Sequence, residues 1–69
     1  MEPYEINLVG EILTVQPEED GTYLILRKSN QIARLYPDVT VDGVQWETGD
    51  LLDPDYVKQI GELIEEHEM

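Results

Sequence analysis

Alternating apolar residues run into an Asp42-Gly43 pair and out again, from Val39 and Val41 to Val44 and Trp46. An Asp-Gly pair in that setting is the strongest short-range signal for a β-hairpin, because both residues reach backbone angles of a tight turn that most others resist. The segment is therefore expected to fold back as two antiparallel strands, with Val39, Val41, Val44 and Trp46 facing a core. Similar punctuation recurs upstream. Gln16-Pro17-Glu18-Glu19-Asp20-Gly21 reads as a turn, with proline and Asp-Gly supplying the geometry and the acids staying in water. Ser29-Asn30 reads as a two-residue connector between strands over 22–28 and 31–36.

Setting Lys28 opposite Gln31 fixes a register and sorts that hairpin into two faces. Leu24, Leu26, Ala33 and Leu35 form one, which is expected to be core. Tyr23, Ile25, Arg27, Ile32, Arg34 and Tyr36 form the other. Tyrosine and arginine are enriched at binding hot spots, so this second face is a candidate docking surface unless a helix covers it. Residues 5–15 are aliphatic and β-branched without helical spacing, and predict one long first strand. Ile6, Leu8 and Ile12 occupy one phase of it and Val9, Leu13 and Val15 the other, so a bend or bulge is expected at Gly10.

Asp53-Pro54 opens a helix, with the aspartate as N-cap, proline at the first helical position and Asp55 favourable to the helix dipole. Tyr56, Val57, Ile60, Leu63, Ile64 and His67 recur at three- and four-residue spacing, leaving Asp55, Lys58, Gln59, Glu62, Glu65 and Glu66 outside. Gly61 predicts a close approach of this helix to the sheet. Glutamates in the last turns oppose the dipole, so that end is expected to fray. Leu51-Leu52 is read as a short pairing segment. The element order predicts an α+β, mainly β fold in a single domain over 1–69. It would be a small curled antiparallel sheet, or an SH3-like or OB-like barrel, of about five strands followed by one C-terminal amphipathic helix.

A chain of 69 residues buries only about 60% of the surface it exposes when unfolded, so its margin of stability is thin. Disulfides and thiolate metal sites are excluded by the absence of cysteine. A single histidine, His67, argues against a structural zinc site. Docking on a partner or a second copy is the remaining staple. The N-terminal Met1-Glu2-Pro3-Tyr4-Glu5 lacks the basic and apolar stretches of a signal peptide, and no apolar run approaches the roughly 20 residues that cross a bilayer. A cytoplasmic protein without membrane contact is the expectation.

Sixteen acids against four Lys and Arg give a net charge of −12. Such a field repels nucleic acid and anionic membranes and favours a basic protein surface, so no direct nucleic-acid binding is expected. Between Arg34 and Lys58 every charged residue is acidic: Asp38, Asp42, Glu47, Asp50, Asp53 and Asp55. With Glu62, Glu65 and Glu66 of the helix they are the candidate partner-binding surface. No activated nucleophile, phosphate loop or metal-ligand spacing accompanies them, and no cofactor is expected. The acidic turns lack the ligand spacing of a calcium loop.

The chain is therefore read as a small, non-catalytic protein-binding module. In its most specific form it imitates nucleic acid and inhibits a basic nucleic-acid-handling protein. In size and charge alone it is similar to the small acidic inhibitors that phages and mobile elements direct against host defence. The alternative is a structural or accessory subunit, or a homodimer, docking through the face of Tyr23, Ile25, Arg27, Ile32, Arg34 and Tyr36.

Overall fold

The computed structural model describes residues 2–68. Five strands and one helix follow in order: β1 (Tyr4–Leu8), β2 (Glu11–Pro17), β3 (Tyr23–Arg27), β4 (Asn30–Thr40), β5 (Gly43–Thr48) and α1 (Pro54–Glu68). The strands form an antiparallel meander, each paired with its neighbours in sequence, and curl into a half-barrel. The helix lies across the concave side and packs against β5, β1 and β4. The fold is the mainly β, α+β arrangement expected from the sequence, as a curled sheet rather than a closed barrel.

The long first strand is two strands. Val9 and Gly10 both adopt positive φ, 51° and 82°, and form a tight turn that brings Leu8 opposite Glu11. The Gly10 N–H donates to the Asn7 side chain at 2.9 Å. Reversing the chain at this point explains why apolar residues occupied both phases. Ile6 pairs with Leu13 and Tyr4 with Val15, so all four face the same side.

The β3–β4 register also differs from expectation. Lys28 and Ser29, at φ 50° and 68°, are the turn residues, and Arg27 pairs with Asn30. A bulge next to Ile25 and Leu26 then leaves Ile32 as the extra residue, so Ile25 faces Ala33 and Tyr23 faces Leu35. A slip of one residue exchanges the faces of a strand. Ile25 is accordingly fully buried and Tyr23 packs on the core, whereas Leu24 and Leu26 lie on the convex side opposite Arg34 and Gln31.

The core is filled by Ile6, Leu8, Leu13, Val15, Ile25, Ala33 and Leu35 from the sheet and by Val57, Ile60 and Ile64 from the helix. Trp46 of β5 packs directly over Gly61 of the helix. A Cβ on Gly61 would lie 2.1 Å from Cγ of Trp46, so only glycine admits the indole there. Tyr23 meets Trp46 edge to face, with centroids 5.4 Å apart.

Beyond the helix the β4–β5 hairpin runs out into solvent. Val39 pairs with Val44, but Val39 is exposed, and Val41 at the turn is fully so; neither joins the core as the alternation suggested. Leu51 is likewise fully exposed and Leu52 half-buried, outside any strand. The helix starts as expected: Asp53 Oδ1 accepts from the Asp55 N–H at 2.8 Å and the Asp53 carbonyl from the Val57 N–H at 3.1 Å. Its far end is held rather than frayed. The Tyr4 hydroxyl donates to Glu68 at 2.7 Å, the Tyr23 hydroxyl to the same carboxylate at 3.3 Å, and His67 stacks on Tyr4 at 3.6 Å between centroids.

Candidate partner-binding surface

The nine candidate acids divide by what their carboxylates already do. Asp50 Oδ2 accepts from the Arg34 backbone N–H at 2.9 Å and from the Thr48 hydroxyl at 3.2 Å. Thr48 donates as well to the Arg34 carbonyl, at 2.7 Å, and this shared hydroxyl hydrogen serves one acceptor at a time. Together Thr48 and Asp50 continue the ladder of β4 past the end of β5. Asp53 is occupied as the helix cap. These two acids therefore serve the fold first.

The other seven are free to meet a partner. Asp38 and Glu47 point from the convex side of the β4–β5 ribbon, where Asp38 pairs with Gln45 and Glu47 with Tyr36. Asp42 sits at the hairpin tip, and Asp55 and Glu66 are exposed on α1. Glu62 and Glu65 border a cleft of about 400 Å³ lined also by Val44, Gln45, Trp46 and Lys58. The acids thus flank β5 from both sides of the sheet, instead of forming one continuous face.

Neutralisation inside the chain is slight. Among the described residues two ion pairs form, Arg27 with Glu11 at 2.9 Å and Arg34 with Asp20 at 3.7 Å, and neither uses a candidate acid. Glu11 also accepts the Tyr56 hydroxyl, which, helped by Arg27, holds its carboxyl below the ordinary glutamate range. Hydrogen bonds from Thr22 do the same for Asp20. Burial raises the Tyr4, Tyr23 and Tyr56 hydroxyls above their ordinary value, and the carboxylates they bond add to it: Glu68 for the first two, Glu11 for Tyr56.

The six residues of the alternative docking face do not share a surface. Ile25 is buried in the core and Tyr23 packs on it, Ile32 sits at the bulge, and Arg27, though exposed, is engaged by Glu11 and Tyr56. Arg34 and Tyr36 remain exposed on the convex side. That reading depended on a register the bulge displaces.

The cleft beside Trp46 and the roles of Glu11 and Glu68 were not read from the sequence. Periodicity within one helix assigns Glu62 and Glu65 to its outer side without showing which strand borders them. Among the described residues no group of three or more His, Cys, Asp or Glu could hold a metal ion, and no helix is long and apolar enough to cross a membrane. The chain matches no known family model, curated protein or solved structure.

Proposed function

We propose that this chain is a non-catalytic module that binds a basic protein surface, in its most specific form as a nucleic-acid mimic that inhibits a nucleic-acid-handling protein. The observation that carries the reading is the uncompensated charge around β5. Asp38, Asp42 and Glu47 on the hairpin and Glu62, Glu65 and Glu66 on the helix make no ion pair among the described residues, in a chain of net charge −12. Like charges held together repel one another and gain when a cationic surface arrives. Each exposed pair is worth only about 0 to 1 kcal/mol, so affinity requires an array.

The test is capture of partners from a host extract at low and high salt, with a triple variant Asp38→Lys, Asp42→Lys and Glu47→Lys alongside the parent. Asp50 and Asp53 are left intact because their carboxylates hold the fold. Capture by the parent is expected to fall steeply with salt, and the variant is expected to bind on the order of tenfold more weakly or worse while melting like the parent. Partners that persist at high salt and ignore the reversals would replace this reading with apolar docking or self-association.

A further inference from the structure

We infer that the open edge of β5 is a strand-addition site for an extended arginine- or lysine-bearing segment of a partner protein. This is where the basic partner proposed above would dock, so the site rests on that reading and gives it a location. The phase of β4 follows from its clamp: the N–H and C=O of Arg34 are taken by Asp50 and Thr48, on the β5 side. In an antiparallel pair the residues that bond to a given neighbour alternate. Tyr36, Asp38 and Thr40 therefore bond to Glu47, Gln45 and Gly43. Pro37, which has no N–H, falls in the other phase, opposite Trp46.

Val44, Trp46 and Thr48 consequently turn their backbone groups away from β4, and among the described residues no sixth strand pairs with them. Edge strands are usually blunted by lysine, proline or a bulge. β5, Gly-Val-Gln-Trp-Glu-Thr, has no lysine or proline, and its pairing with β4 runs without a register shift. The opposite edge, β1, is likewise free of lysine and proline, and it is the cleft with its glutamates that singles out β5.

Charge selects the occupant. A strand added to β5 places alternate side chains on the helix side, in the cleft of Val44 and Trp46 bordered by Glu62 and Glu65, with Lys58 as the single cation there. Its other side chains pass beside Glu47 on the convex side. A long basic side chain lays its aliphatic stem on Val44 and Trp46 and its charge against the glutamates. A second copy of this chain would bring another −12 to the same edge.

The probe is a short capped peptide of alternating valine and arginine, compared with the same peptide N-methylated on every backbone amide, which keeps its charge but removes the strand donors of both its edges. Binding of the first is expected to slow amide exchange at Val44 and Trp46 and to shift the Trp46 indole N–H. N-methylation is expected to weaken binding about tenfold or more. Val44→Pro, which removes an outward N–H and spares the β4 ladder, is expected to retain the dispersed amide spectrum of the fold and lose binding to a similar extent. Equal binding of both peptides would overturn strand addition while leaving the acidic-surface reading intact. So would a peptide that does not bind although the lysine reversals still weaken capture of a natural partner. Protection at Val44 and Trp46 that grows with protein concentration alone would assign the edge to a second copy instead. Partner capture indifferent to salt would sink the acidic-surface reading itself, whatever the peptides do.

Discussion

Trp46 occupies the space that any side chain at position 61 would need. In a free helix Gly61→Ala would gain about 1 kcal/mol from helix propensity. Here the new methyl would lie 2.1 Å from the indole, and forcing an extra carbon into a packed junction costs about 1–3 kcal/mol. Gly61→Ala is therefore expected to lower the urea midpoint in the parent and to raise it in a Trp46→Ala background, where the space is vacant. Trp46→Ala alone is expected to cost about 3 kcal/mol. The same effect of Gly61→Ala in both backgrounds would show that the two residues do not compete for space. A glycine inside a helical pattern already signalled close approach, but not which residue approaches, because spacing within one element carries no register against another.

The β3–β4 hairpin turns on two residues poorly suited to it. Lys28 and Ser29 hold φ at 50° and 68°, a region where a side chain crowds the backbone and glycine does not. Ser29→Gly is expected to raise stability by about 0.5 kcal/mol, the relief being partly offset by a more flexible unfolded chain. A higher urea midpoint at unchanged slope would show it, and a lower one would refute the turn. This misfit explains why the element was misread by one residue: Ser29-Asn30 is the better turn pair by type, and the bulge at Ile32 leaves no mark in composition. Val9-Gly10 was hidden likewise, since valine is an uncommon residue at positive φ. The strand expected over 31–36 continues through Pro37 to Thr40, because the missing N–H of Pro37 falls where β3 has already finished. The turn at Val9-Gly10 adds one strand to those expected and the passage of β4 through Pro37 removes one, which leaves five. The helix start was legible because a cap is written entirely in adjacent residues, Asp53-Pro54-Asp55.

Across the whole molecule, tyrosine hydroxyls join the two ends of the chain and tie α1 to the sheet. Tyr4 and Tyr23 hold Glu68 at the end of α1, and Tyr56 of α1 holds Glu11 of β2. Burial and these carboxylates keep all three hydroxyls protonated beyond their ordinary value of 10.0. Unfolded tyrosines ionise first as pH rises, so the folded state binds more protons there and stability falls. Full stability is expected below pH about 10, with loss setting in above it. Denaturant titrations from pH 8 to 11 are expected to show that decline, and a Tyr4→Phe, Tyr23→Phe variant to show a shallower one. Equal slopes would mean the hydroxyls are not held. The meander has a further consequence, for the order of events as the chain folds. Every strand pairs with its neighbour in sequence, so the sheet assembles through short loops, while the Tyr4–Glu68 contact spans 64 residues. Local pairing favours refolding on the order of milliseconds or faster, with the helix docking after the rate-limiting barrier. In stopped-flow experiments Ile25→Val in β3 is expected to slow folding, and Ile60→Val in α1 chiefly to speed unfolding. The reverse pattern would place the closing helix first.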